Sequence, residues 1–165
     1  MTLRATKLLL VFGVAVFYTL VVFNNITDYG SDYEFVRHVM MMDTTFPGNN
    51  GMWRAMNSPT LHTAFYFSII AWEAITMLLV WWGGFRMAWA LRETALAFHR
   101  AKRVSIAALT LSLLMWLVAF LSIGGEWFQL WQSKTWNGQE EAFRMFTVVG
   151  IVLLLVVQPD TDDPS

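Results

Sequence analysis

Four apolar runs, each close to the length a bilayer demands of a helix, constrain this chain more than any other feature. They lie at about Leu8–Phe23, Leu61–Trp82, Val104–Ile123 and Ala142–Val157. Arg4 and Lys7 precede the first run and Asn24-Asn25 follow it. The second holds one charge, Glu73, the third holds none, and the fourth carries Arg144 near its start. At 1.5 Å per residue the shortest runs reach only about 24 Å, so they need flanking residues or local thinning of the bilayer. None alternates apolar and polar residues as a barrel strand would. The expectation is an all-α membrane protein, a four-transmembrane-helix bundle with short interfacial helices in its outer loops. It would form one domain over 1–158, with an acidic cytoplasmic tail over 159–165.

Composition points the same way. The chain is 56% apolar and 14% charged, with a mean hydropathy of +0.48, whereas a soluble domain is about one quarter charged. This excludes a disordered chain and argues against a water-soluble monomer. The absence of Cys removes disulfides, thiolate metal sites and thiol nucleophiles. A net charge of −1 and a pI near 6.3 give no basis for nucleic-acid binding. No small-x-small pattern follows Phe23, so the first run reads as an uncleaved anchor rather than a signal peptide.

Lys and Arg set the expected orientation. Arg4 and Lys7 precede the first run, and Arg86, Arg92, Arg100, Lys102 and Arg103 lie between the second and third. Arg37, Arg54, Lys134 and Arg144 lie on the other side. Both termini are therefore expected in the cytoplasm, with 24–60 and 124–141 facing outward. The five loop cations are lipid-headgroup candidates, three of them on an amphipathic helix over Phe85–Arg100, which Gly83-Gly84 would bend away from the second span.

In the first outer loop, Ser31-Asp32-Tyr33-Glu34 fits a capping box and predicts a helix through about Met42. Residues 43–51 have turn chemistry, and Ser58-Pro59 reads as the N-cap and first residue of the second span. In the second outer loop, Trp127, Leu130 and Trp131 stand at i, i+3 and i+4, predicting a short helix in the outer interface. Trp127 and Trp131, with Phe128, Trp136 and Trp53, form candidate docking aromatics, the plainer alternative being membrane anchoring. The acidic, Pro-containing tail is expected to be mobile unless bound to something.

Glu73 is the position that the pattern forces into view. A bare carboxylate at mid-membrane costs several kcal/mol, so it should be neutral, paired or facing a wet cavity. His62, eleven residues back, lies about 20° away around a helix, and Tyr66 and Thr76 share the same face. Tyr18, Thr19, Ser105, Thr110 and Ser112 are the partners expected across the bundle. One reading is a polar-ligand or proton-linked site, for a quinone headgroup for example. The other, favoured on sequence, is a neutral Glu that fixes helix packing. His38 and His62, with Met40–Met42 near them, are the one histidine pair placed to meet, but solvated or hydrogen-bonded imidazoles are the favoured state and no metal or cofactor is assigned. Arg144 with Glu140 and Glu141 reads as a capping cluster. No phosphate loop, nucleophile elbow, zinc-protease helix or triad is present, so no enzymatic activity is expected.

Asp43-Thr-Thr-Phe-Pro-Gly-Asn with Trp53-Arg-Ala, Glu73 in the next span, and Glu126-Trp-Phe through Trp131-Gln-Ser to Trp136-Asn-Gly-Gln together resemble a bacterial family of small integral membrane proteins. That family is described only as a domain of unknown function. The resemblance covers nearly the whole chain, except the acidic tail, and implies four spans in a bacterial inner membrane. It carries no activity and no catalytic residue. The function expected is therefore that of a non-catalytic accessory or stabilising subunit, with the bilayer and other membrane subunits as partners. The alternative is binding of a quinone or lipid, or proton-coupled transport, through Glu73.

Overall fold

The computed structural model describes residues 1–162, and the end of the expected tail, 163–165, lies outside the described residues. Helix α1 (Thr2–Thr27) outruns its apolar run at both ends, because no residue breaks it before Asp28, whose φ and ψ of −120° and 52° leave the helical region. Helix α2 (Tyr29–Met41) starts at once. The Ser31 capping box does not form: Asp28 takes the cap position, and Ser31 already lies inside the first turn. Met42, at φ 53°, ends α2. A loop with one 3-10 turn, Met52–Arg54, leads to α3 (Pro59–Trp89), which begins on an extended Ser58 with Pro59 first, as expected.

The glycine pair does not bend α3 out of the bundle. A Cβ on Gly83 would lie 2.4 Å from Ser105 Oγ and 2.6 Å from the Ser105 backbone nitrogen, and one on Gly84 would lie 2.7 Å from the Phe12 ring. These glycines let neighbouring helices approach closely. Nor is there one amphipathic helix over Phe85–Arg100. Helix α3 ends at Trp89, and the Thr94 hydroxyl, accepting from the Ala97 amide at 3.3 Å, caps a separate α4 (Ala95–Ala101). Helix α5 (Arg103–Leu114) continues as a π-helical segment, Met115–Trp127. The Phe128 amide donates to the Ile123 carbonyl at 3.0 Å, a five-residue step, as that rarer helix requires. Gln129, at φ 54°, then breaks the chain, so Trp127 and Trp131 do not share a helix, and Leu130–Gln132 is one 3-10 turn. Helix α6 spans Gln139–Val157.

The long helices close a ring: α1 packs on α3, α3 on α5, α5 and the π segment on α6, and α6 back on α1. Val11, Tyr18, Val80, Leu109, Met115 and Val149 fill its centre. A second core, with Val36, Met40, Tyr66, Phe128 and Leu130, lies at the α2 end. Three helical stretches are long and apolar enough to cross a membrane: Thr2–Thr27, Pro59–Trp89 and Ala95–Trp127. The 19-residue α6 is the exception to the sequence expectation, because Glu140, Glu141 and Arg144 crowd its first turns. Among the described residues there is no strand.

At the opposite end, α6 delivers the tail to the start of α1. Lys7 Nζ donates to Asp160 Oδ1 at 2.8 Å and to the Gln158 carbonyl at 2.7 Å. Lys102 Nζ donates to Asp160 Oδ2 at 2.5 Å and to the same carbonyl at 2.8 Å. Arg4 reaches Asp162 at 2.9 Å and the Glu93 carbonyl at 2.6 Å. Burial opposes the Asp160 charge, but the hydrogen bonds from Lys102 and Lys7 outweigh it and hold the carboxyl below its ordinary value. The tail through Asp162 is thus bound, and Lys102, with its side chain fully buried, turns away from any lipid surface.

Candidate functional site

The inward face of α3 is the polar stripe that helical spacing anticipates. His62, Tyr66, Glu73 and Thr76 are all buried, but they do not form one site. His62 Nε2 donates to the Met56 carbonyl at 2.7 Å, joining α3 to the loop before it, while its buried Nδ1 has no hydrogen-bond partner. Thr76 Oγ1 donates to the Trp72 carbonyl of its own helix at 2.8 Å. Glu73 accepts from Asn25 Nδ2 at short range. The Tyr66 hydroxyl lies 3.4 Å from the Asn25 carbonyl and from Asn25 Oδ1.

Asn25 is the partner of Glu73 that sequence reading passed over. Hydropathy ends the first apolar run at Phe23, which places Asn25 in a loop. It stands seven residues after Tyr18, two helical turns along the same face, and that spacing was the available signal. The partners expected for Glu73 are used elsewhere. The Tyr18 hydroxyl shares a 2.5 Å hydrogen bond with Ser112 and accepts from Trp116 Nε1 at 3.1 Å, tying α1 to α5 and the π segment. Ser105 Oγ lies against Met87 Sδ at 3.2 Å. Thr19 Oγ1 accepts from Trp81 Nε1 at 2.9 Å, and Thr110 Oγ1 bonds the Ile106 carbonyl.

Above Glu73 a cavity of about 560 Å³ opens toward the α2 end. Asn25, Tyr66, Glu73 and Trp116 form its buried base, and Phe35 and Phe120 its walls. Its mouth is polar and exposed, with Asn24, Ser31, Asp32, Thr135, Asn137 and Glu141. Although Asp32 stands exposed at the mouth, partial desolvation by the chain around it, and then the nearby Asp28, push its carboxyl above its ordinary value. A second, apolar pocket of about 170 Å³ adjoins the first and shares Phe35, Val36, Ile69 and Phe120 with it. Among the described residues no Lys or Arg lines either pocket. The volume lies within the range typical of small-molecule sites.

The aromatics of the second loop divide. Phe128 is buried in the α2-end core, and Trp136 stacks on His38 at 4.8 Å, so neither stands free. Trp53, 72% exposed, and the half-exposed Trp127 flank Arg54, whose guanidinium lies 5.4 Å from each ring. Trp131 meets Phe46 edge-on at 6.0 Å. Asn49, Thr44 and the Phe46 amide bond to Gln129, Ser133 and Gln132, so the two loops form one unit. His38 lies between Asp43, at 2.8 Å, and Glu34, at 3.4 Å, and does not meet His62. No group of three or more metal-ligating side chains occurs among the described residues. Arg144 pairs with Glu141 at 3.2 Å on the surface. Of the loop cations, Arg86, Arg92, Arg100 and Arg103 are exposed, and Arg86 lies over Trp82.

An all-helical chain with three apolar helices of membrane-crossing length, which bury Glu73, Thr76, Ser105 and Ser112 among them, is an integral membrane protein. This one belongs to the family described as "Predicted small integral membrane protein (DUF2165)", whose model matches residues 3–159. The clasped Asp160 and Asp162 lie beyond the matched segment. No curated protein and no solved structure matches the chain.

Proposed function

We propose that this protein is a non-catalytic membrane protein that binds a small molecule in the cavity above Glu73. The observation that carries this reading is the carboxylate itself. It is 3% exposed and held by a neutral amide, and it lines an open cavity rather than a packed interface. A Glu that served packing alone would be enclosed by partners, since an intramembrane carboxylate is expensive unless it is used. We take α6 as a fourth span, with both termini on the cytoplasmic side of a bacterial inner membrane. In support, its far end returns to Lys7 at the start of α1, which requires an even number of crossings, and its length of about 28 Å is near that of the hydrocarbon core. The side with more Lys and Arg is the side of the termini.

The test is native mass spectrometry of the gently extracted protein. Wild type is expected to carry a bound small molecule, and Glu73→Gln to lose it while keeping its thermal stability. Wild type free of any ligand, or equal retention by Glu73→Gln, would overturn the reading.

The exposed Trp53 and Trp127 around Arg54 favour a second role, docking onto a larger membrane complex. On that reading Trp127→Ala with Trp131→Ala abolishes co-purification of the larger protein and leaves folding intact. Recovery of the intact complex after both changes would sink it.

A further inference from the structure

We infer that the ligand of this cavity is a cationic amphiphile, a compact organic ammonium joined to a hydrocarbon chain. The inference rests on the binding reading above and names its chemistry. Three carboxyl groups, those of Asp32, Glu73 and Glu141, line the cavity, and no Lys or Arg does among the described residues. Arg144 engages Glu141 outside, at the surface, and leaves the base without a fixed cation. At that base Asn25 hydrogen-bonds Glu73 through an uncharged amide, so it orients the carboxyl group without neutralising it. An anionic headgroup would meet carboxyl groups and no positive partner. A cation would meet Glu73.

The walls argue in the same direction. Tyr66, Trp116, Phe120 and Trp136 surround the base and middle of the cavity. Aromatic faces carry the negative side of the ring quadrupole, and cages of such rings with a nearby acid are how alkylated ammonium groups are recognised. The hydrocarbon part follows from the adjoining pocket. It continues from Phe35, Val36, Ile69 and Phe120 along Phe65, Trp72 and Ile123, and a tail leaving the cavity would be taken up there among apolar side chains.

The full-length protein in nanodiscs of zwitterionic lipid provides the test, with octyltrimethylammonium, tetramethylammonium, octanesulfonate and octanol as probes in calorimetric titration. Saturable binding of octyltrimethylammonium is expected, at least about tenfold tighter than that of tetramethylammonium or octanol, with none for octanesulfonate. Glu73→Gln, which keeps the Asn25 contact, should weaken the octyl cation by at least about tenfold and leave octanol unchanged. Phe120→Leu, which keeps the hydrocarbon and removes the ring face, should narrow the preference for the cation over octanol. Binding of octanol or octanesulfonate as tight as that of the cation, and weakened by Glu73→Gln, would overturn the inference while leaving the site real. If no probe binds, or if binding ignores both variants, the inference fails. Failure of the binding reading itself is read separately, as an extracted wild-type protein that carries no ligand.

Discussion

Asp160→Asn is expected to lower the stability of the folded protein by about 3–5 kcal/mol, the loss that follows removal of one member of a buried ion pair. Lys7, near the start of the chain, and Lys102, from its middle, converge on one carboxylate near its end, and all three side chains are at most 1% exposed. With Asn at this position the two ammonium groups lose their only carboxylate and keep the Gln158 carbonyl and one neutral amide oxygen. Asp162→Asn is the comparison: its side chain is 63% exposed, so little change is expected. Thermal unfolding in a mild detergent measures both. The same clasp sets an acid limit. Its carboxyl titrates below the ordinary 3.8 in the folded protein, so its contribution is complete above 3.8 and fades as pH falls through the lower folded value. Lys7, Lys102 and the neighbouring Arg4–Asp162 pair are the charged groups around it. If Asp160→Asn unfolds at the same temperature as wild type, the lysines reach water along their stems and the clasp has no structural role.

Gly83→Val is the second large effect. A bare Cβ at this position already falls 2.4–2.9 Å from the side chain and backbone of Ser105, and backbone cannot step aside as a flexible side-chain end does. Adding a branched side chain forces α3 and α5 apart along the packed ring. The expected destabilisation is about 1–3 kcal/mol or more, the usual range for overpacking. In a membrane the packing lost is not replaced by any hydrophobic drive between helices. Gly13→Val serves as the control, since a Cβ there meets nothing within 4 Å. Equal stability of the two variants would show that the α3–α5 contact adapts.

Much of this architecture is legible because the bilayer asks for one thing, a long apolar helix, and the chain supplies long apolar runs. The start of α3 at Ser58-Pro59 is local chemistry, and it appears where local chemistry places it. The misreadings have a common cause. The Phe85–Arg100 pattern and the Trp127–Trp131 spacing are periodicities, and periodicity says nothing about where the backbone turns. The Thr94 cap and the left-handed Gln129 decided those points. The Ser31 capping box fits the sequence rule, yet Asp28 had already turned the chain.

The candidate site divides along the same line. That Glu73 shares a buried face with Tyr66, His62 and Thr76 follows from spacing on one helix, and the sequence alone determined it, together with the helical class and the membrane setting. Which groups answer that face could not be read in one dimension. Tyr18 and Ser112 satisfy each other, His62 bonds a loop carbonyl, and Asn25, outside the apolar run, takes the carboxylate. Those pairings depend on how four helices close into a ring, and so does the room left between α2, α3 and the π segment above Glu73. Hydrophobic length selects the elements, but only packing decides which polar groups meet and where space remains. The tail shows it most plainly, because the charges of Asp160 and Lys7 are obvious in the sequence, while their contact exists only once α6 has returned to α1.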